Sequence, residues 1–289
     1  MHLIQRISSL LLLIICLNAA GQDQELLELL SSDEADDKGY VSATFKSTRV
    51  INGHSIETRS NGVLEFIISH RFGKINSGYD EFYGLDFSTI RLGLEYGITD
   101  DLNIGVGRAS FDKVVDAFVK YRLLRQSKDF PFTATAFASI TRKTVEQLGL
   151  DGIDRNTYTA QLLIARKFNS NFSFQISPTI IQRNLVPTLQ DDNLLIAVGL
   201  GARYKLSNRI AIVTEYYPQF SNKSTEFEDS FAVGVDIETG GHVFQLHFTN
   251  AIQMNEKGFI GETTDSFWDG DIHYGFNITR VFDLRPNKR

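Results

Sequence analysis

The most extensive pattern in the sequence is an alternation of apolar and polar residues with a period of two, running from about residue 62 to about residue 282. Along residues 89–98, isoleucine, leucine and tyrosine occupy one parity, while threonine, arginine, glycine and glutamate occupy the other. The same division recurs along residues 172–180, 194–206 and 231–238. Successive side chains of a strand point to opposite faces, so each segment predicts a strand with one apolar and one polar face.

Twelve segments of this kind follow one another along the chain. They begin near residues 62, 86, 102, 113, 131, 157, 171, 193, 209, 230, 241 and 271. Most run for about 9–12 residues, the length that a tilted strand needs to cross a bilayer. We therefore predict an all-β fold, an antiparallel transmembrane β-barrel of about 12 strands.

The predicted connections alternate between short and long. Tight turns rich in Asn, Asp, Ser and Gly occupy residues 99–101, 169–171, 207–209 and 239–241, and long polar loops occupy residues 143–156, 184–192, 218–229 and 250–270. Two connections depart from this rule, because residues 112–113 are short for a loop and residues 125–130 are long for a turn. Short periplasmic turns and long extracellular loops are typical of outer-membrane barrels.

A soluble β-sandwich or lipocalin-like barrel would alternate in the same way. In such a fold the apolar face packs inward. In this sequence Gly, Ser, Gln and charges of both signs share the other face. That composition suits a wet or salt-bridged lumen and favours the membrane barrel.

The first 21 residues predict export. Arg6 precedes an apolar run over residues 10–17, and Ala19, Ala20 and Gly21 provide the small residues that a signal peptidase reads. The run is shorter than the roughly 20 apolar residues of a transmembrane helix. The expected organisation is a signal peptide over residues 1–21, an N-terminal periplasmic or lumenal segment over 22–60, the barrel over 61–283 and a tail over 284–289.

The single cysteine, Cys16, follows Ile15, which is too large for a lipid-anchor site, so we expect it to leave with the signal peptide. One cysteine allows no intramolecular disulfide and no zinc site built on several thiolates.

Residues 40–58 are strand-like but polar on much of both faces. Counting them as a membrane strand would give an odd number, whereas single-chain bacterial barrels have an even number. We interpret this segment as a plug in the lumen or at the periplasmic mouth.

Charge and the C-terminal strand indicate the partners. The net charge of −6 argues against nucleic-acid binding, which needs a basic surface. Residues 271–282 alternate and end on Phe282, similar to the terminal signal that barrel-assembly machinery reads, although seven residues follow. The expected partners are outer-membrane lipid and that machinery, and the expected location is the outer membrane.

Five segments carry a resemblance to a known family. They are ATFKSTRVINGHS at residues 43–55, IRLGLEYGITD at 90–100, YTAQLLIARKF at 158–168, ETGGHVFQLHFTN at 238–250 and GDIHYGFNITRVF at 270–282. They resemble an uncharacterised family of Bacteroidota β-barrel proteins that carries a domain of unknown function. The resemblance implies an outer-membrane barrel behind a signal peptide, and it provides no catalytic residues.

Two groups of residues are candidates for chemistry. His247 and His273 share the inward parity of neighbouring strands, so they could form a metal pair or act as separate hydrogen-bonded histidines of the lumen. We favour separate histidines, because no inward Cys or carboxylate cluster completes a metal site. His54 and Ser60, followed by Asn61-Gly62, are similar to the motif of outer-membrane phospholipases. A separation of six residues spans about 20 Å of strand, too far for a base and its nucleophile, so a turn is favoured. We expect no catalytic residue, no metal and no cofactor.

The polar face of the strands predicts which residues line the lumen. They are Glu65, Arg71, Arg91, Glu95, Asp116, Lys120, Arg122, Gln175, Arg203, Lys205, Glu215, Asp236, His247 and His273, together with Gln161, Lys167, Arg183, Glu238, Gln245 and Asn277. Mixed charges either line a polar pore, with Arg91 and Glu95 as the first candidates for its selectivity, or cross-link the lumen shut.

The leading functional interpretation is therefore a small-solute channel or transport-related barrel. The alternative is a non-conducting structural or adhesion barrel that binds a partner through its loops. A membrane-embedded hydrolase ranks third.

Overall fold

A computed structural model describes residues 39–145, 152–186, 188–239 and 242–285. The predicted signal peptide and the end of the predicted tail lie outside these residues. The strands are β1 (Val63–Lys74), β2 (Ser88–Gly97), β3 (Leu102–Ala109), β4 (Val114–Leu124), β5 (Thr133–Lys143), β6 (Asn156–Lys167), β7 (Phe172–Arg183), β8 (Leu194–Lys205), β9 (Ile210–Tyr217), β10 (Ser230–Thr239), β11 (His242–Thr249) and β12 (His273–Asp283).

These strands form one closed antiparallel barrel. Each strand pairs with its neighbour in sequence, and β12 pairs with β1 from Leu64 opposite Phe282 to Arg71 opposite Gly275. Closure leaves no strand edge unpaired, which is the condition for a sheet in lipid, where no water can satisfy backbone groups. The prediction of an antiparallel 12-strand barrel is confirmed.

The two faces of the wall differ as the sequence pattern requires. In β2, for example, every second residue is buried and those between are exposed or half-buried, with Leu92 and Leu94 exposed and Arg91 and Glu95 buried. The exposed positions of the other strands are also mainly Ile, Leu, Val and aromatic residues. The outer face is therefore apolar, and the inner face carries the polar side chains.

The two ends of the barrel are built differently. Tight turns at residues 98–101, 168–171 and 206–209 lie at the end that also holds the start of β1 and the finish of β12, which we name the short-turn end. The opposite, long-loop end includes residues 250–272, where helix α1 (Glu256–Gly261) is buried throughout. Short 3-10 helices occupy Ile75–Ser77, Tyr79–Gly84, Phe111–Lys113 and Phe267–Asp269. None of the helices in the described ranges is long and apolar enough to cross a membrane.

The apolar outer face generates a depth-dependent prediction. Leu92 lies midway along β2 and is 43% exposed, so Leu92→Arg places a charge near the predicted centre of the bilayer and lowers the free energy of unfolding by about 2–4 kcal/mol. Leu206, 58% exposed beside a tight turn, is the matched control, where Leu206→Arg costs at most about 1 kcal/mol. Denaturant titration in lipid vesicles measures both, and equal losses would contradict a membrane-spanning outer face.

Candidate functional site in the barrel lumen

The lumen contains a hairpin formed by residues 43–58, which we name the lumen hairpin. Its two arms are joined by hydrogen bonds from Val50 N to Gly53 O (2.8 Å) and from Ser55 N to Thr48 O (2.9 Å). The turn between them contains Asn52-Gly53, and Asn-Gly is a dipeptide that marks turns. The hairpin has no place in the sheet, consistent with the expected even number of strands.

The hairpin enters and leaves at the short-turn end. Before it, Val41 N donates to the carbonyl of Gln126, in the turn between β4 and β5. After it, Thr58 Oγ1 donates to the carbonyl of Asp100, in the turn between β2 and β3. The tip at Asn52 therefore points towards the long-loop end.

The tip is held by one carboxylate of the wall. Glu215, on the inward face of β9, accepts hydrogen bonds from the backbone N–H groups of Ile51 (3.1 Å), Asn52 (2.8 Å) and Gly53 (3.1 Å). Arg71, on β1, donates from Nη2 to the Asn52 side-chain oxygen at 2.6 Å. A hairpin tip has no strand partner for these N–H groups, so the wall provides the acceptor.

Wall side chains also satisfy the arms. On β7, Gln175 donates to the carbonyl of His54 (2.8 Å) and accepts from Ile56 N (2.9 Å). On β5, Thr135 donates to the carbonyl of Ile56 at 3.0 Å. One amide side chain thus acts as a substitute for a neighbouring strand.

Two further amides, Gln245 and Asn277, bind the backbone of the opposite arm and of the tip. Gln245, on β11, donates to the carbonyl of Val50 (2.6 Å) and to Asp236 (2.7 Å). Asn277, on β12, donates to the carbonyl of Ile51 at 3.0 Å and to Gln245 at 2.6 Å. The hairpin backbone is therefore bonded to several sides of the barrel.

Apolar contacts support these hydrogen bonds. Phe45, Val50 and Ile56 of the hairpin share a buried cluster with wall residues that include Phe118 and Phe137. Ile51 packs with Val213 and Ala232 in a separate buried cluster. Burying such side chains contributes about 1.5–3 kcal/mol each, so the hairpin is a packed element of this structure.

Lys120 joins the hairpin to the charged wall. Its ammonium donates to the carbonyls of Glu57 (2.6 Å) and Thr48 (3.3 Å) and lies 3.5 Å from Glu95. Glu95 also accepts from Asn103 at 3.0 Å.

Arg91 is bound by Asp116 through two hydrogen bonds, of 3.0 and 2.5 Å. A Cβ on Gly107 would lie 2.1 Å from the guanidinium, so glycine provides the room for this pair. The two first candidates for selectivity, Arg91 and Glu95, are thus both ion-paired in this structure, which matches the cross-linking interpretation of the lumen charges.

Helix α1 approaches the hairpin from the long-loop end. The Asn255 side chain caps the helix by accepting from Gly258 N at 3.0 Å. Glu256 lies 3.2 Å from Arg49 Nη1 and 3.5 Å from His54 Nε2. The two segments that fill the lumen therefore meet at an ion pair.

The helix is fixed to the wall by apolar packing. Phe259 and Ile260 are fully buried, and the Phe259 ring contacts Tyr217 edge-on with centroids 5.0 Å apart. Tyr217 also lies against the hairpin tip, since a Cβ on Gly53 would lie 1.9 Å from its hydroxyl. Tyr217 thus contacts both filling segments.

Loops at the long-loop end are tied together by Asp191. Its carboxylate accepts from Thr188 Oγ1 (2.6 Å) in its own loop and from Ser224 N (3.0 Å) in the loop between β9 and β10. Burial raises the pKa of Asp191, but the hydrogen bonds from Thr188 and Ser224 outweigh it and hold the pKa below its usual value. The carboxylate therefore remains charged and keeps the two loops joined.

The remaining lumen candidates lie on the inward parity of their strands. Arg203 pairs with Glu238 at 3.1 Å, and Arg122 lies 3.3 Å from Asp101 near the short-turn end. Lys205 is half-buried at the end of β8. Glu65 accepts from Thr48 (2.7 Å) and Arg59 (2.8 Å) of the N-terminal segment.

The two lumen histidines do not form a metal pair. His273 contacts Asp265 (2.8 Å) and the carbonyl of Phe72 (2.9 Å). His247 is buried beside Gly275, and neither of its ring nitrogens is hydrogen-bonded to a protein group of the described ranges. Within the described ranges, no group of three or more His, Cys, Asp or Glu side chains could hold a metal ion.

The two residues of the hydrolase hypothesis are far from forming a site. His54 is buried between the rings of Phe118 and Phe137. Ser60 is exposed at the short-turn end, where its carbonyl lies against Gly97. A nucleophile cannot be activated by a base from which it is separated in this way.

The inward parity did not nominate Arg49, Asn52 or Glu256, which the structure places at the centre of the lumen. All three lie outside the strands. The Asn-Gly turn is the signal that could have found the first two, and the apolar Phe259-Ile260 pair within a polar loop could have found the helix.

The Glu215 contact generates a prediction. Glu215→Ala leaves three buried N–H groups without an acceptor, at a cost of about 1–3 kcal/mol for each such group. We expect amide exchange at residues 51–53 to accelerate by about tenfold to a hundredfold, measured by hydrogen–deuterium exchange. Thr214→Val, on the outward face of the same strand, is the control and leaves this exchange unchanged. Unaltered exchange in Glu215→Ala would contradict the contact.

Solved structures that are similar to this chain include two porins and an outer membrane channel. The NanC porin has a TM-score of 0.48 and 10% identity, covering 77% of this chain and 100% of its own. The KdgM porin has a TM-score of 0.47 and 12% identity, covering 75% and 99%. An outer membrane channel from Pseudomonas putida F1 has a TM-score of 0.46 and 14% identity, covering 78% and 98%.

No curated protein matches this chain by sequence. Residues 45–282 match a family described as a membrane-bound β-barrel domain (DUF5777), and that match includes the lumen hairpin almost entirely. The chain therefore belongs to the DUF5777 family of membrane-bound β-barrel domains.

Proposed function

We propose that this protein is an outer-membrane channel for small solutes, closed in this structure by the lumen hairpin and helix α1. Export by the predicted signal peptide delivers it to the outer membrane, with the short-turn end in the periplasm. The barrel wall forms the pathway, and the two filling segments form its gate.

The observation that carries the proposal is the polarity of the contacts between the hairpin and the wall. Glu215, Gln175, Gln245 and Lys120 all bind hairpin backbone groups, and all would face water if the hairpin left. A permanent plug could satisfy its buried backbone groups with neutral amides and hydroxyls, whereas this wall also uses the charged groups of Glu215 and Lys120, and a buried charge is costly where a neutral residue would serve. A lumen that alternates between protein and water needs polar walls, since each hydrogen bond can be exchanged for one to water.

The architecture also separates the gate from the wall. The barrel is hydrogen-bonded strand to strand throughout, and the hairpin contributes to none of those ladders. Its departure therefore leaves the wall intact. Arg91 and Asp116, with Glu95 and Asn103, then remain as polar groups of the pathway.

The alternative is a non-conducting barrel that binds a partner through its long loops. The ties from Asp191 to Ser224 and from Asp192 to Asn222 favour it, since they hold two of those loops in a fixed arrangement. It also explains a lumen that is filled from both ends. His54 and Ser60, the two residues that suggested a hydrolase, give it no support, because one is buried between aromatic rings and the other is exposed at the short-turn end.

Single-channel recording in planar bilayers tests the channel. The hairpin can be locked in place, because a Cβ on Gly201 would lie 3.3 Å from Val50 Cγ2, which brings cysteines at both positions within reach of a disulfide. We expect brief openings from the refolded mature protein, none from oxidised Val50→Cys/Gly201→Cys, and recovery of the openings on reduction. Val50→Cys alone is the control, and its openings should be the same under oxidising and reducing conditions.

Deletion of residues 43–58 gives the complementary result, long-lived discrete conductance steps. Replacing residues 256–261 by Gly and Ser in the same variant enlarges the steps, because helix α1 is the second filling segment. A doubly altered barrel that is folded, heat-modifiable and silent would contradict conduction and support the alternative.

A further inference from the structure

A cleft of about 230 Å³ lies at the long-loop end, outside the contacts that hold the hairpin. One side is apolar and consists of Leu185, Val186 and Phe227, from the loops that follow β7 and β9. The other side is charged and includes Lys143, Arg155 and Lys257. Leu185 is exposed, so the cleft reaches the protein surface.

The two lysines of the cleft are already neutralised by carboxylates. Lys257 lies 2.7 Å from Glu262, which also accepts from Gln253 at 3.2 Å. Lys143 lies 2.6 Å from Asp112. These ion pairs keep this side of the cleft polar, and each pair has little net charge.

Arg155 is bound differently. Its Nη1 donates to the main-chain carbonyls of Val145 (3.1 Å) and Thr144 (3.4 Å). Its Nε is buried and makes no hydrogen bond, and no carboxylate of the described ranges forms an ion pair with its guanidinium. A guanidinium matches the geometry of a carboxylate better than any other side chain, and a buried donor without an acceptor is costly.

We propose that this cleft binds a small carboxylate with an apolar body, whose carboxylate pairs with Arg155 and whose body packs against Phe227, Leu185 and Val186. Asp154 and Glu262 also line the cleft and oppose a second negative charge on the ligand. The volume admits a compact molecule, smaller than the ligands of typical pockets of about 300–1,000 Å³. The ligand class is therefore a monocarboxylate of the size of a substituted acetate.

The site goes beyond the proposed function, because binding at the long-loop end needs neither conduction nor movement of the hairpin. The cleft nevertheless lies next to the proposed gate. Lys257 lies in helix α1 and Glu262 directly follows it, and Glu256 of the same helix contacts Arg49 of the hairpin.

Saturation-transfer NMR on the refolded mature protein in lipid nanodiscs tests the site, with phenylacetate as the probe and phenylacetamide as its uncharged analogue. We expect saturable binding of phenylacetate and at least about tenfold weaker binding of phenylacetamide, since the ionic hydrogen bonds are lost. Arg155→Gln should weaken phenylacetate binding by about tenfold or more, and Phe227→Ala should weaken both probes. Arg166→Gln, exposed at the short-turn end, is the matched control and leaves binding unchanged.

Heat-modifiability on gels reports folding of each variant, and the silent or conducting state of the barrel is irrelevant to this readout. Absence of saturable phenylacetate binding to the wild-type protein would overturn the proposal. Equal binding of both probes, or unchanged binding in folded Arg155→Gln, would overturn it as well.

Discussion

The arrangement of the lumen depends on the carboxylate of Glu215, which accepts hydrogen bonds from three backbone N–H groups at the tip of the hairpin. The dependence is mutual. Without the hairpin, Glu215 would be a charge on the barrel interior that needs water, and without Glu215 the tip would bury donors with no acceptor. This contact fixes how deeply the hairpin enters, and so which wall groups meet its arms and where Arg49 meets Glu256 of the second filling segment.

The wall and its contents solve separate physical problems. The closed ladder of strands and the apolar outer face are what lipid requires, because lipid offers no hydrogen-bond partner to the backbone. The inner face must suit the contents of the barrel. In this structure its side chains, such as Gln175 and Gln245, bind hairpin backbone groups that have no neighbouring strand as a partner. Because the hairpin shares no ladder with the wall, the gating that we propose is a change of partners for polar side chains rather than a change of fold.

Periodicity predicted the strands because lipid enforces it residue by residue. The expected strand starts near 62, 102 and 230 compare with observed starts at Val63, Leu102 and Ser230. Partners inside the lumen could not be predicted in this way, because alternation reports only which face a residue occupies. Arg49 and Glu256 are 207 residues apart, and the position of His247 beside Gly275 depends on the register in which β11 pairs with β12. Helix α1 lies within a segment that the sequence pattern predicts as a polar loop, and its apolar pair Phe259-Ile260 does not identify the wall residues that the helix contacts.

The central claim is that the tip of the hairpin rests on Glu215, and magic-angle-spinning NMR of the refolded protein in lipid tests it most directly. We expect through-space correlations between the Glu215 carboxylate carbon and the amide protons of Ile51, Asn52 and Gly53, all of which follow from N···O distances of 2.8–3.1 Å. Amide protons of residues 51–53 that correlate only with water, in a barrel whose strand signals are otherwise intact, would contradict the claim.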